Sequence, residues 1–361
     1  MSVPHLSWDQ ALAWRMHRHH LDPPAGASAV DVVHRLCGVQ AQVTSAAALA
    51  VAVRQAEPGT TAVPEALADG SLVRTWAMRG TLHLLAAEDA ASYLALLASA
   101  RTWEKASWQK AFLPAPQMAR LTEAVSAALE GGAELDREQL VAAVWRHSGD
   151  EDLAEQIRSG WSAVLKPLAW QGLLCSGTAR GTRVTFTAPA ARVPGWSGLP
   201  DPDQAAGRVI LAYLAAHGPA TMASFDQWLL RGATPKAALR RWFAELGDGV
   251  AQVDVDGTTA YLRAEDVDDV AAAKPSTAVR LLPGFDQYVL GPGTSDPNVV
   301  PPAHRADVSR AAGWISPVVV SRGRVAGTWN ADGDIAVDLF EEPVPAAALA
   351  AEVGRVQRLI P

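Results

Sequence analysis

One pattern is written three times over residues 1–275: helix, short turn, helix, helix, then a β-hairpin. The first copy opens at "SWDQALAWRMHRHH" (7–20), where Ser7 and Gln10 have capping-box spacing. A helix near 28–37 follows, with Ser28 as its cap and Gly38 as its stop, and then another at "TSAAALAVAVRQ" (44–55). "SLVRTWAMRGTLHLL" (71–85) alternates, with Trp76, Met78, Leu82 and Leu84 facing one side and Arg79, Thr81 and His83 the other. The second copy opens at Asp136 and runs through "SGWSAVLKPLAWQGLL" (159–174), which Pro167 must kink or break, to two strands within 173–188. The third opens near 204 and ends in "VAQVDVDGTTAYL" (250–262), a hairpin about Asp256-Gly257. Helix-helix-helix-hairpin is the winged-helix plan. The expectation is therefore an α+β chain of three tandem winged-helix units, over 1–130, 131–200 and 201–275. From about 276 short strands separated by Pro, Gly, Asn and Asp take over, so 276–361 is expected to form a small β-barrel or sheet domain closed by a helix over 345–357.

The chain has 361 residues and is 49% hydrophobic, enough to build cores of this kind. No run of about 18 apolar residues occurs, so no membrane span is expected. The N-terminus, "MSVPHLSWDQ", has no basic-then-apolar secretory pattern. Two lone cysteines, Cys37 and Cys175, fit buried thiols in a reduced, cytoplasmic protein. The only histidine cluster, "RMHRHH" (15–20), has no Cys or carboxylate partner at ligand spacing; a solvated basic helix end is expected there, and no metal. A net charge of −7 argues against coating nucleic acid non-specifically but leaves room for a local basic groove. No coiled-coil segment is visible, and a monomer is expected.

Five segments carry a resemblance: "GVQAQV" (38–43), "TWAMRGTLHLL" (75–85), "SGWSAVLKPLAWQGLL", "LLPGFDQYVLG" (281–291) and "VAGTW" (325–329). In this order and spacing they resemble the AlkZ-type branch of the bacterial HTH_42 DNA glycosylases, over nearly the whole chain. The resemblance implies three winged-helix units and a C-terminal β-domain wrapped in a C-shape around double-stranded DNA. It implies monofunctional removal of N7-alkylated purines: unhooking of interstrand crosslinks, or excision of bulky N7-guanine adducts made by genotoxic natural products, in some cases as self-resistance. No metal or organic cofactor is implied. The branch has a catalytic Gln-x-Gln motif, which maps onto Gln40 and Gln42; the sister AlkX-type branch has Gln-x-Asp.

Glutamine is a poor acid and a poor base, so the motif constrains the substrate. In an extended segment Gln40 and Gln42 point to the same face, where two carbonyls can take the hydrogens of one water and aim its lone pair. Glycosidic hydrolysis usually needs carboxylates. An N7-alkylated guanine, however, is cationic and departs as a neutral base, without a general acid. The structural alternative is that the pair caps the preceding helix or bonds a turn.

Arg79, Thr81 and His83 are candidates for phosphate or sugar contact, or else a solvated strand face; His83 is also weighed as a general base. Lys166 is a candidate for phosphate contact rather than lyase chemistry. In "SRGR" (321–324), Arg322 and Arg324 make a candidate DNA-probing hairpin tip, or a solubilising turn. Arg240 and Arg241 sit on the helix that an ordinary winged-helix regulator uses for recognition. Trp8, Trp14, Trp76 and Trp161 are read as core, and Asp286 as a structural hydrogen-bonding group rather than a catalytic carboxylate. The leading expectation is a glycosylase. Its rivals are an AlkX-like enzyme for simpler N7 adducts and crosslinks, and a non-catalytic DNA-binding regulator.

Overall fold

The protein's structure, a computed structural model, describes residues 3–59, 61–159 and 163–360. Trp161 and part of the helix expected over 159–174 lie outside them. The order helix, strand, helix, helix, strand, strand occurs three times. The first set has helices Ala29–Arg35, Thr44–Ala52 and Ala62–Ala68, strand Val39–Gln40 and hairpin Leu72–Trp76/Leu82–Ala86. The second has helices Ala115–Ala128, Arg137–Ser148 and Glu151–Ser159, with strands Leu135–Asp136, Cys175–Ser176 and Thr185–Thr187. The third has helices Pro202–His217, Met222–Leu230 and Lys236–Glu245 and hairpin Val250–Val255/Thr258–Arg263; its first strand shrinks to one bridge, Ala220 to Tyr261. In each set the last strand lies between the other two. Pro167 falls in the first turn of helix Lys166–Trp170, so the segment breaks there, its missing N–H costing nothing.

The chain departs from the expected pattern at its start. Helix Trp8–Arg18 has the Ser7/Gln10 capping box, yet it packs chiefly on elements outside the first set. Strand His5–Leu6 pairs in parallel with Val250–Val255. Ala11 and Trp14 join the core under that third hairpin, while Leu12 and Met16 join the core of the C-terminal domain. With apolar groups on two faces, the helix is a seam between bodies. The basic cluster at its end is accordingly solvated only in part: His17 is exposed, but Arg15 and His19 are buried. Arg15 Nη2 donates to His217 O at 2.9 Å, Arg18 Nε donates to Ala215 O at 2.9 Å, and His19 Nε2 lies 3.0 Å from Ala216 O. These carbonyls end helix Pro202–His217, where orphan acceptors and the negative end of the dipole attract donors and cations.

The C-terminal domain is an open antiparallel meander of Val279–Leu282, Val318–Ser321, Arg324–Asp332 and Asp334–Leu339. Helix Ala346–Gln357 packs on its first strand, and Glu352 accepts from Leu281 N at 3.1 Å. Asp286 caps the short helix Gln287–Leu290 and forms a fully buried two-point pair with Arg54 at 2.6 and 2.8 Å, joining this domain to the first set. Among the described residues, no helix is long and apolar enough to cross a membrane.

Candidate active site

The site begins with a turn that only a few residues can make. Helix Ala29–Arg35 ends, and Cys37 and Gly38 both take positive φ, 57° and 99°. At Gly38 a Cβ would stand 2.7 Å from Leu85 Cδ2 and 3.1 Å from Leu84 O, so a glycine brings the chain hard against the neighbouring strand. The next residues join the sheet: Val39 opposite Leu84, Gln40 opposite His83. Ala41 is held from both ends, its N–H donating to Leu82 O at 2.7 Å and its carbonyl accepting from Arg74 Nη2 at 2.9 Å. Val39 and Ala41 are buried in the first set's core. Strand alternation then sends Gln40 and Gln42 together to the opposite face.

The two amides touch. Gln40 Nε2 donates to Gln42 Oε1 at 2.8 Å, and Gln40 Oε1 accepts from Arg79 Nη2 at 3.2 Å. Arg79 also donates to Trp228 O at 3.1 Å, reaching into the third set. Gln40 is 5% exposed, whereas Gln42 is solvent-exposed. A water at this site therefore meets Gln42's outer face first, and each carbonyl keeps one lone pair beyond the bond it already accepts. No carboxylate among the described residues bonds to either glutamine or to Arg79.

Arg79 is not on a strand face. It occupies the tip between the two strands with φ 58°, half-buried. Burial, followed by the charge of Arg231, brings its guanidinium down to about 10, still protonated at neutral pH. Thr81 is half-buried, and its hydroxyl donates to Met78 O at 3.1 Å. His83 has no exposed surface, and its Nδ1 lies 3.0 Å from Thr81 O. Burial and then Arg79 push its imidazole down to about 3. Sealed from solvent, His83 offers neither a surface for DNA nor an accessible base in this structure.

The other candidates are dispersed. Lys166 is half-buried near the Arg79 tip, its Nζ 3.7 Å from where a Cβ on Gly80 would stand. Arg322 is exposed at a tight turn with φ 52°. Arg324 is less free than a probing tip requires: it donates to Asn298 O at 2.8 Å and lies 3.7 Å from Asp9. The tip itself is pressed onto helix Trp8–Arg18, a Cβ at Gly323 falling 2.7 Å from Leu12 Cβ. Arg241 is paired with Asp203. Trp14 and Trp76 are buried and Trp8 is half-buried against the third hairpin's core.

Two residues escaped the sequence reading. Arg74 shares the register of Trp76 on an apolar strand face, and a cation there signals a hidden acceptor, which is Ala41 O. Arg231 follows "QWLL" and precedes Gly232; nothing local marks it, because its significance lies in which residues of other units surround it.

Residues 33–359 match the family described as "DNA glycosylase AlkZ-like". The chain belongs to that family. It is a DNA glycosylase, a hydrolase of N-glycosyl bonds acting on DNA. It is 50% identical over 357 residues to the "Interstrand DNA cross-link repair glycosylase" of Streptomyces sahachiroi, covering 98% of this chain and 96% of that one. The solved structure of "Streptomyces sahachiroi DNA glycosylase AlkZ" matches it with a TM-score of 0.93 at 49% identity, again over 98% and 96% of the two chains. The reading as a non-catalytic regulator is set aside. In the glycosylase, the amide pair belongs to the first set and is tied to the third only through Arg79, which bonds both Gln40 and Trp228 O.

Proposed function

We propose that this glycosylase hydrolyses the N-glycosidic bond of N7-alkylated deoxyguanosine, bulky or part of an interstrand crosslink, using a water held by Gln40 and Gln42 to attack C1′. The observation that carries the reading is the absence of any acid from the described surroundings of the pair: two neutral amides and an arginine that only donates. Such a site can place a water but cannot protonate a leaving base. It suits a base that alkylation at N7 has already made cationic and that departs neutral. Positioning then supplies the acceleration. Exposure of Gln42 suits a lesion too large for a closed base-flipping pocket, and the printed name of the Streptomyces relative supports crosslinked DNA as a substrate.

The three recurrent sets are read as winged-helix units carrying one strand of duplex past Gln42, in a cytoplasmic monomer serving base excision repair. In a producer of a genotoxic natural product the same chemistry is self-resistance. An AlkX-like preference for simpler N7 adducts is the second reading, and Gln42→Asp tests it: an unchanged rate and substrate range would mean that position 42 does not set the branch.

The deciding experiment is single-turnover release of N7-methylguanine and of a bulky N7-guanine adduct from duplex DNA. The Gln40→Ala/Gln42→Ala variant should bind DNA normally and lose base release by ~10²-fold or more, the usual cost of removing a preorganised polar group. If wild-type enzyme binds both substrates well and releases neither base, excision of these lesions is ruled out.

A further inference from the structure

Arg79 has a second neighbourhood. Besides holding Gln40, it lines a cleft of about 210 Å³ where all three sets converge. The first set contributes Arg79 and Gly80, the segment 163–170 contributes Lys166 and Trp170, and the end of helix Met222–Leu230 contributes Arg231. Trp108 and Phe112, rings 5.1 Å apart, complete the wall, and Phe112 is 44% exposed.

The charge in this cleft is unbalanced. Among the described residues, three cations line it and no carboxylate does. The side chains of Lys166 and Arg231 make no hydrogen bond or ion pair among the described residues, and the Arg79 side chain bonds only to neutral carbonyl oxygens. The chain as a whole has 38 acidic residues against 31 lysines and arginines, so an unpaired cation is not for want of acids. Elsewhere arginines are met by them, as in Arg54–Asp286, Arg120–Asp150 and Arg263–Asp266. Like charges repel more strongly where the surroundings exclude water. Burial and the Arg231 charge lower the proton affinity of both Arg79 and Lys166, which registers that repulsion. An anion entering the cleft relieves it.

We infer that Arg79, Lys166 and Arg231 form a seat for one backbone phosphodiester of the DNA beside the lesion, with Trp108 and Phe112 as the apolar wall for the adjoining sugar or base. The inference rests on the proposed reading in taking DNA as the ligand. A phosphate has the charge and the acceptor geometry that a lysine and two guanidinium groups recognise, and an exposed ring, Phe112, backed by half-buried Trp108 beside the cations suits a nucleic acid strand. The seat is joined to the chemistry by one residue: the guanidinium that meets the phosphate also sets the Gln40 amide. A seated phosphate thereby fixes the register of the strand against Gln42.

The test is a methylphosphonate scan. Single neutral linkages are placed at each position around an N7-methylguanine in a duplex, and binding is measured for wild type, Arg231→Gln and Lys166→Met. The Arg231 side chain is exposed and unbonded, so Arg231→Gln should fold normally, which thermal melting checks. Wild type should lose ~10-fold in affinity at one linkage near the lesion, and in both variants that penalty should shrink to below ~2-fold while penalties at other linkages persist. A scan that finds no sensitive linkage near the lesion, or variants whose penalty map matches wild type, overturns the seat. Base release is followed in parallel. Release without coupling removes the seat and keeps the enzyme reading; coupling without release keeps the seat and removes the substrate reading.

Discussion

An arginine side chain has five N–H donors and no acceptor, and this asymmetry sets the polarity of the candidate active site. Because Arg79 can only donate, the atom of Gln40 facing it must be oxygen; the amide nitrogen then faces Gln42, whose own oxygen must turn inward. The relay leaves one orientation for each amide. None of its members titrates near neutrality. The glutamines do not titrate, and Arg79, at about 10, keeps its charge until alkaline pH; His83, outside the relay and at about 3, is already neutral above acid pH. Single-turnover base release should accordingly be flat from ~pH 6 to ~pH 8.5, without the bell that a general acid and base produce. A limb changing tenfold per pH unit inside that window would reveal a titrating catalytic group and contradict the amide mechanism.

At the scale of elements, the glutamines depend on a turn and a hairpin. Gly38→Ala puts a Cβ at φ 99° against Leu84 O and Leu85, so it should cost ~1–3 kcal/mol and displace strand Val39–Gln40. Melting temperature and base release should both fall. Gly26→Ala, where a Cβ meets nothing within 4 Å, should change neither. Wild-type behaviour of Gly38→Ala would mean that the strand is not positioned by this turn. The hairpin over 71–85 also explains a misreading of the sequence. Period-two alternation carries through "TWAMRGTLHLL" and suggests one continuous strand, yet the chain reverses at 78–80, where Arg79 and Gly80 both have positive φ. Residues placed on one polar face are thereby separated, Arg79 at the tip and His83 inside the sheet.

Across the whole molecule, distant segments hold the bodies together. Helix Trp8–Arg18 joins the third set to the C-terminal domain, and Arg54–Asp286 joins that domain to the first set. Replacing Asp286 by Asn leaves a buried guanidinium without its counter-charge and should cost ~3–5 kcal/mol. Chemical denaturation measures that loss. Base release per folded molecule should stay at the wild-type level, because Asp286 caps a helix and pairs with Arg54, and bonds neither glutamine nor Arg79. Loss of release from fully folded Asp286→Asn protein would restore Asp286 as a catalytic carboxylate.

Local physics was enough to write much of this protein into its sequence. Capping boxes at Ser7, Ser28 and Asp136, the Asp256-Gly257 hairpin and the break at Pro167 depend on neighbours within a few residues, and each is present. The same-face placement of Gln40 and Gln42 needs only strand periodicity. What the tertiary structure decided is everything set by residues far apart in the chain. The basic cluster at 15–20 caps the end of a helix 200 residues away, His83 is sealed into a sheet, Arg79 links the glutamines to Trp228, and Arg231 meets Lys166 across two units. Burial, charge balance and donor–acceptor pairing are properties of the assembled interior, and a linear pattern cannot carry them.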